Sequence, residues 1–177
     1  MKRRILGYVA VMVTVICLCA APSFAADNAK IGFGFQGLIA GNMLNGASVR
    51  AWLGPNTAIG LEGNFFYGKG EIEYDSGSGA DADLWMLEAK GMYAFLVRPN
   101  SRFYGGLKLG FGQFDADGED GSVISPGIFA GAEYNFPQLP EVGFNFEVGY
   151  NYLRVSPDEV DVDVHGINVG LGIKYYF

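Results

Sequence analysis

The sequence GINVGLGIKYYF, residues 166–177, decides the fold, because apolar residues alternate along it with small or polar ones. Successive side chains of a β-strand point to opposite faces, so one face of this segment is wholly apolar and the other is small or polar. An apolar edge that ends on Phe177 would promote aggregation in a soluble protein. The closing strand of a transmembrane barrel instead places one face against lipid and the other in a polar lumen. The segment therefore predicts a β-barrel that spans a membrane.

The amino-terminal residues predict a cleavable signal peptide. A basic region at residues 2–4 precedes an apolar run over residues 5–21, and Ser23-Phe24-Ala25 then offers small residues at the two positions that a signal peptidase reads. We predict cleavage after Ala25, which leaves residues 26–177 as one barrel domain. An uncleaved membrane anchor is the alternative, but the apolar run is short for a membrane span.

Composition excludes several classes of protein for residues 26–177. Both cysteines, Cys17 and Cys19, fall within the predicted signal peptide, which leaves no disulfide, thiolate metal site or cysteine nucleophile. Without the three cations of residues 2–4, nine Lys and Arg face 19 Asp and Glu, and the resulting net charge of −10 argues against nucleic-acid binding. No later apolar run is long enough for a helical span, so a closed barrel is the remaining way to cross a membrane.

Alternating hydrophobicity and turn signals predict eight antiparallel strands. They span residues 30–40, 47–53, 57–68, 83–95, 102–114, 123–136, 142–153 and 160–177. Most exceed the ~9–11 residues that a tilted strand needs to cross a bilayer. Short turns alternate with longer connections, the turns at residues 54–56, 98–100 and 137–140 and the connections at 41–46, 69–81, 115–122 and 154–159. This asymmetry is typical of an outer-membrane barrel, with turns in the periplasm and loops outside.

Charged residues share one face of the predicted strands. Four acids and four bases are predicted to form a charge network in the lumen: Arg50, Glu62, Glu88, Lys90, Lys108, Glu133, Glu147 and Lys174. The opposite face carries residues such as Phe65, Leu107 and Phe146, and an Arg or Lys near the bilayer centre would cost ~2–4 kcal/mol there. A soluble lipocalin-like barrel is the rival fold, but its outer surface would then be the face that is crowded with glycine.

Two further segments complete a recognisable pattern. They are Gly131-Ala132-Glu133-Tyr134 in the sixth predicted strand and the terminal Ile173-Lys174-Tyr175-Tyr176-Phe177. With the signal peptide and the eight strands, they make the chain resemble the small eight-stranded outer-membrane protein β-barrel family, which includes the OmpX/Ail-like and opacity-type proteins. The resemblance implies residence in the bacterial outer membrane and delivery by the barrel assembly machinery, with Tyr175 and Phe177 as the assembly signal. It implies no particular activity, because the same barrel carries structural, adhesive and enzymatic roles.

The predicted lumen charges have two interpretations. They could line a narrow conductive path, or they could pair into a plug that replaces the hydrophobic core, since side chains fill the interior of a barrel of this width. We favour the plug, because four acids and four bases can neutralise one another and an unpaired buried charge would be costly.

Three of the four longer connections are acidic, and together with the adjoining strand ends they supply 13 of the 19 acids. The three clusters are Glu71, Glu73, Asp75, Asp81 and Asp83; Asp115, Asp117, Glu119 and Asp120; and Asp158, Glu159, Asp161 and Asp163. Their carboxylates could bind divalent cations that bridge to lipopolysaccharide phosphates, or could bind a basic partner. The second cluster is the weak metal candidate, because it lacks the third spaced ligand and the distal glutamate of a calcium loop. Solvated loops that keep the surface soluble are the simpler interpretation.

His165 is the one histidine and lies near the outer end of the last predicted strand. Some barrel enzymes that modify lipopolysaccharide use a histidine with a serine or an acid, and Ser156, Asp161 and Asp163 are close in sequence. No enzyme motif is recognisable around them. Gly166 instead predicts a β-bulge, since the apolar parity switches directly after Val164.

The sequence thus predicts an all-β protein, an eight-stranded antiparallel transmembrane barrel behind a signal peptide. Its predicted role is structural or surface-interactive, through acidic external loops, with a lumen plugged by the charge network. A narrow pore for ions or very small solutes is the alternative, and an enzyme that modifies envelope lipid is the third possibility. We expect no catalytic site, cofactor or metal, and a monomer that contacts lipid and lipopolysaccharide.

Overall fold

A computed structural model describes residues 30–40, 42–53, 58–73, 79–116, 119–157 and 162–177. The predicted signal peptide, residues 1–25, lies outside the described residues, and so does its cleavage site. The predicted turn at residues 54–56 lies outside them as well. Of the three acidic clusters, Asp75, Asp117, Asp158, Glu159 and Asp161 are also outside the described part of the chain.

The described residues form eight strands, which close into one antiparallel barrel. The strands are β1 (Lys30–Ala40), β2 (Asn42–Trp52), β3 (Ile59–Glu73), β4 (Gly79–Arg98), β5 (Ser101–Ala116), β6 (Glu119–Phe136), β7 (Leu139–Pro157) and β8 (Val162–Tyr176). Each strand pairs with its neighbours in sequence, and β1 pairs with β8 from Gly32–Tyr176 to Ile39–Val169. The predicted fold class is confirmed.

The two ends of the barrel differ. At the turn end, two-residue connections join β4 to β5 at Pro99-Asn100 and β6 to β7 at residues 137–138. At the loop end, β1 joins β2, β3 joins β4, β5 joins β6, and β7 joins β8. The predicted connections at this end were too long, because strand pairing continues through residues 69–73 and 79–83 and through 115–116 and 119–122. The second strand was likewise predicted too short, since it begins at Asn42.

The strand extensions at the loop end have a physical reason. The 20 residues of β4 far exceed the ~9–11 that span a bilayer, so the excess pairs as a ribbon beyond the lipid. Outside the lipid, the outward face no longer has to be apolar, and acidic residues such as Asp83 can sit on it. Hydropathy alternation therefore fades where hydrogen-bonded pairing continues.

The predicted bulge at Gly166 is wrong. The register between β7 and β8 runs without a shift from Val142–Tyr175 to Val155–Val162, and Gly166 pairs with Asn151. Val164 pairs with Leu153, and both residues occupy inward positions of their strands. These positions lie beyond the charged part of the lumen, so an apolar residue can occupy the inward side there. This accounts for the change in the alternation pattern without an extra residue. The described bulges lie elsewhere, both towards the turn end, between Ala94 and Leu96 and between Asn135 and Phe136.

Glycine permits two unusually close strand approaches on the inner wall. A Cβ at Gly34 would lie 1.8 Å from the carbonyl oxygen of Ile173, across the seam between β1 and β8. A Cβ at Gly46 would lie 1.8 Å from the carbonyl oxygen of Phe65 in β3. Both neighbours are backbone atoms, so side chains cannot move aside to make room.

The outward face of the barrel is apolar and exposed. Phe35, Leu107 and Ile167 are 71%, 69% and 74% exposed, respectively, and many other large apolar side chains share that face. No described residues form a helix long and apolar enough to cross a membrane.

Candidate functional site in the barrel interior

All eight predicted lumen charges lie inside the barrel, each at most 6% exposed. They come from seven strands, because every second residue of each strand points inward. The inward glycines beside them, such as Gly106 and Gly149, leave room for long side chains to cross the lumen. The interior therefore brings together charges that are far apart in sequence.

Arg50 on β2 is the centre of this network. Its Nε donates a hydrogen bond to Glu62 on β3. Its two terminal nitrogens donate hydrogen bonds to Glu133 on β6 and to Glu147 on β7, and each bond is 2.7 Å long. Nη1 also donates to the hydroxyl of Tyr104 on β5, 3.0 Å away. One fully buried guanidinium thus connects five of the eight strands, and charge-assisted bonds of this kind are the stronger hydrogen bonds in proteins.

Lys90 carries a second positive charge to the same acids. Its Nζ lies 2.5 Å from Glu147 and 2.9 Å from Glu62, and 3.5 Å from Glu88. The ammonium also stands 5.2 Å from the ring centre of Phe129. Each of the two central carboxylates therefore receives both a guanidinium and an ammonium.

The other two cations lie towards opposite ends. Lys174, nearer the turn end, bonds to Asn145 at 2.9 Å and Gln36 at 3.1 Å, and lies 3.3 Å from Glu62. Lys108, nearer the loop end, donates a 2.9 Å hydrogen bond to the side-chain oxygen of Asn168. The carboxylate that pairs with it, Glu88, is 3.8 Å away. The network is therefore dense around Arg50 and looser around Lys108.

Two apolar layers enclose the charges, and sequence reasoning missed both. The layer at the turn end consists of Trp52, Met92, Ala94, Tyr104, Phe129 and Tyr176. The layer at the loop end consists of Leu38, Phe66 and Met86, with Leu44 against it. Parity could have found them, since Trp52 lies two residues from Arg50 and Tyr104 four from Lys108. The sequence analysis followed the charged residues on the inward face and gave the inward aromatic residues no role.

The described acidic residues at the loop end form a row across neighbouring strands. Asp83 pairs in register with Asp115, and Asp115 with Asp120, while Lys69 stands opposite Asp83. Lys69 Nζ lies 3.3 Å from Asp83, and this hydrogen bond raises the pKa of Lys69. Of the metal candidates, Asp117 lies outside the described residues, and Glu119 is described in its backbone only. Among the described residues, no group of three or more potential ligands is placed to hold a metal ion.

His165 faces outward near the loop end and is exposed. Its Nδ1 shares a 2.8 Å hydrogen bond with the hydroxyl of Tyr150 on β7. Asp163 is exposed two residues away and pairs in register with Arg154. Ser156 is described in its backbone only, and Asp161 lies outside the described residues. The contact described for His165 is therefore the hydrogen bond with the phenol of Tyr150.

The predicted assembly signal lies on the lipid-facing side of the seam. Tyr175 and Phe177 are 51% and 77% exposed, and their ring centres are 5.1 Å apart. Phe177 also contacts Phe33 of β1, with ring centres 6.0 Å apart, and its backbone nitrogen donates to Ile31. Both aromatic residues are thus displayed where β8 meets β1.

The sequence and the fold match a known family. The chain belongs to the outer membrane protein beta-barrel domain family, which matches residues 11–175. It is therefore an outer-membrane β-barrel protein and resides in the bacterial outer membrane. No curated protein matches the chain in sequence.

Solved structures share the fold at low sequence identity. Neisserial surface protein A has a TM-score of 0.53 at 16% identity, over 84% of this chain and 96% of that one. A major outer membrane protein of Thermus thermophilus has a TM-score of 0.52 at 15% identity, over 84% and 99%. The N-terminal β-barrel domain of Pseudomonas aeruginosa OprF has a TM-score of 0.52 at 17% identity, over 85% and 98%.

Proposed function

We propose that this protein is a closed envelope barrel whose lumen is plugged by the Arg50 network and whose acidic loop end is its functional surface. The single observation that carries the proposal is the guanidinium of Arg50, which bonds across the lumen to Glu62, Glu133 and Glu147. A side chain anchored to carboxylates on three other strands occupies the centre of the lumen and cannot swing aside without breaking several charged contacts.

The apolar layers support a closed lumen independently of the charges. Trp52, Tyr104 and Tyr176 are at most 4% exposed at the turn end, and Phe66 is 1% exposed towards the loop end. Ions would have to pass both layers as well as the network. Since an eight-stranded barrel is only wide enough for its own side chains, these residues leave little room for a continuous water column.

The loop end supports an interaction role. The exposed carboxylates of Asp83 and Asp120, with Asp115 between them, follow consecutive strands. Oxygen ligands of this kind suit Ca²⁺ or Mg²⁺. The three carboxylates form no complete metal site by themselves, so lipopolysaccharide phosphates would have to supply further ligands to a bridging cation. A basic partner is the other occupant that the carboxylates suit. The row lies on paired strands, so the spacing of its carboxylates is held by the ribbon.

We expect the protein to be electrically silent in a planar bilayer. The test uses protein expressed from the full-length chain and purified from outer membranes. Folding is checked on a denaturing gel, where an unheated folded barrel migrates differently from the heated protein (the heat-modifiable band). Silence at either polarity in 1 M salt agrees with a plugged lumen. Discrete, reproducible openings would contradict it and would favour the narrow pore, with Arg50, Glu88, Lys90 and Lys108 as the first residues to neutralise.

We expect Ca²⁺ to raise the thermal midpoint of the protein in lipopolysaccharide-containing vesicles. The triple variant Asp83→Asn/Asp115→Asn/Asp120→Asn should lose this shift, because it removes the carboxylates that would bridge to the phosphates. Vesicles without lipopolysaccharide are the control and should show no shift for either protein. A midpoint that Ca²⁺ leaves unchanged in every case would contradict the bridging role.

The remaining proposals concern catalysis and assembly. We propose that the protein is not an enzyme, because the contact described for His165 is a hydrogen bond with the Tyr150 hydroxyl, which gives the imidazole a structural partner. We also propose that Tyr175 and Phe177 present the barrel to the assembly machinery. Their display beside Phe33 supports this role, because β8 is the strand that pairs with β1 to close the barrel.

A further inference from the structure

The barrel wall has a gap at the loop end, above the short strands β1 and β2. Pairing between β1 and β8 ends at Ile39–Val169, and pairing between β2 and β3 ends at Asn45–Tyr67. The outer neighbours β8 and β3 continue further as part of the ribbon. In the part of the chain that the structure describes, no strand pairs with residues 162–168 of β8 or with residues 68–73 of β3 on the sides that face the gap. We call these segments the β8 edge and the β3 edge, and the space between them the notch.

The backbone of the β8 edge presents hydrogen-bonding groups to the notch. Phe177 donates its backbone N–H to the carbonyl oxygen of Ile31 on β1. Backbone groups of an antiparallel strand point alternately to its two neighbours, so every second residue counted from Phe177 points to the β1 side. Asp163, His165 and Ile167 belong to this set, and no described strand pairs with them there. Their N–H and C=O groups form a template for another strand.

The β3 edge has the same arrangement. Leu53 donates its backbone N–H to the carbonyl oxygen of Ile59 on β3, so every second residue counted from Ile59 points to the β2 side. Lys69, Glu71 and Glu73 belong to this set and lie beyond the last pair between β2 and β3. Backbone donors and acceptors without a partner strand among the described residues therefore border the notch on both sides.

The inner side of the notch is open beside the β8 edge. Val164 occupies an inward position, yet its side chain is 51% exposed, whereas the inward charges of the lumen are buried. A Cβ at Gly166, the next inward position, would meet no atom within 4 Å. The described residues therefore leave space for another chain next to this edge.

The notch is two strands wide, because it stands above β1 and β2 in the strand order. Three strand spacings of ~4.8 Å separate the β8 edge from the β3 edge, about 14 Å in all. β3 runs towards the loop end, and β8 runs away from it. Two strands that fill the notch as antiparallel neighbours of both edges must therefore run antiparallel to each other, as the strands of a β-hairpin do.

The segments around the notch are acidic. Residues 69–83 carry one lysine against five acids, and residues 154–165 carry one arginine and one histidine against four acids. Asp83 and Asp163 are exposed. The inward position next to Asp163 is the apolar Val164. An occupant that matches both sides therefore alternates basic residues, which point outward, with apolar residues, which point inward.

We propose that the notch binds a cationic β-hairpin of a peptide or protein partner, whose two strands add to the β8 edge and the β3 edge. Strand addition draws its affinity from main-chain hydrogen bonds and its specificity from alternate side chains. The basic side chains of the hairpin face the carboxylates, and its apolar side chains face Val164. The inference rests on the proposed role of the loop end as the functional surface, and it names the class of partner that this surface accepts.

The test uses a fluorescent synthetic hairpin in which Lys and Val alternate along two strands that an Asn-Gly turn joins. Binding to the folded protein is measured by fluorescence anisotropy in nanodiscs of zwitterionic lipid, and empty nanodiscs report binding to the lipid alone. One control hairpin has the same sequence with N-methylated amides along its two outer edges, which removes its outer donors and keeps its charge. A second control hairpin carries Gln in place of Lys and keeps the backbone donors.

We expect the Lys hairpin to bind saturably and both control hairpins to bind at least tenfold more weakly. Binding should slow amide hydrogen exchange at Asp163, His165 and Ile167 by at least tenfold, because their N–H groups gain acceptors. The N–H of Val164 points to β7, so its exchange rate should change less and provides an internal control.

A pair of variants at one position tests the backbone of the β8 edge. His165→Pro removes a donor that points into the notch, and proline is tolerated where the N–H of an edge strand has no partner. It should weaken binding at least tenfold. His165→Ala also removes the imidazole but keeps the N–H, so it should bind the hairpin as the parent does. Both variants are first checked for the heat-modifiable band.

The outcomes separate this inference from the proposed function. Equal binding of the Lys hairpin and its N-methylated form would overturn strand addition, while the acidic loop end would still be an interaction surface. Equal binding of the Gln hairpin would overturn the requirement for a cationic partner. Full binding by folded His165→Pro, or no saturable binding of the Lys hairpin, would overturn the proposal, and the conductance and Ca²⁺ tests of the proposed function would stand unaffected.

Discussion

Replacing Arg50 by methionine is expected to lower the free energy of unfolding by about 3–5 kcal/mol, the usual cost of removing one partner of a buried ion pair. In the variant, Glu133 keeps only its hydrogen bond from the Tyr176 hydroxyl among these contacts. Glu62 and Glu147 keep their ion pairs with Lys90. The measurement is equilibrium unfolding by urea in lipid vesicles. Lys69→Met, which breaks the exposed pair with Asp83, is the external control and should leave the unfolding midpoint unchanged.

A double variant separates the loss of charge balance from the loss of packing. Arg50→Met with Glu133→Gln should be less destabilised than the sum of the two single variants, because it removes both members of one pair. Glu88→Gln should cost less than Glu133→Gln, since the nearest cations to Glu88 are 3.5 and 3.8 Å away. Strictly additive losses for Arg50 and Glu133 would show that their contact contributes nothing, and would contradict the plug.

Replacing Gly34 by alanine is expected to prevent closure of the barrel or displace its seam. The added Cβ would lie 1.8 Å from the Ile173 carbonyl oxygen and 2.7 Å from the Lys174 Cα, both backbone atoms of β8. We expect a loss larger than the ~1–3 kcal/mol of ordinary overpacking, because neither atom belongs to a flexible side chain. The readout is the fraction of protein that shows the heat-modifiable band.

The matched control for this variant is Gly91→Ala. Gly91 faces outward on β4, and a Cβ there meets no atom within 4 Å. It should fold in the same yield as the parent. Normal closure in the Gly34 variant, with β1 still paired to β8 in its present register, would show that the strands separate easily at this point and would contradict the argument.

The sequence predicted the face of each residue well inside the lipid, where a single constraint, the exclusion of charge by hydrocarbon, acts on every outward position. It predicted the strand ends poorly, where that constraint no longer acts. Lipid excludes charge from the outward face, so alternation alone placed Arg50, Glu88 and Lys174 on the same side of their strands. The ends of β3 and β4 were predicted poorly, because beyond the lipid that constraint disappears while backbone pairing continues. The bulge at Gly166 was predicted wrongly for the same reason, because the lipid constraint on the alternation pattern is absent at that end of β8.

The partners within the network could not be predicted from the chain. Lys90 and Glu88 are two residues apart on β4, yet the shorter contacts of Lys90 go to Glu62 and Glu147 on other strands. Which side chains meet across a lumen depends on the tilt and stagger of all the strands together. Inward aromatic residues such as Trp52 and Tyr104 were overlooked for a related reason, since an aromatic residue suits both an interior layer and a lipid face.

The Arg50 network also restricts the order in which this protein can enter a membrane. Its contacts join β2 to β3, β5, β6 and β7, and Lys174 of β8 reaches Gln36 of β1, so the complete set exists only in the closed cylinder. A partly inserted, open sheet would expose unpaired charges and a free strand edge to hydrocarbon, and both are strongly unfavourable there. Insertion and closure must therefore proceed together, so half-built sheets in lipid are the species that this sequence makes least stable.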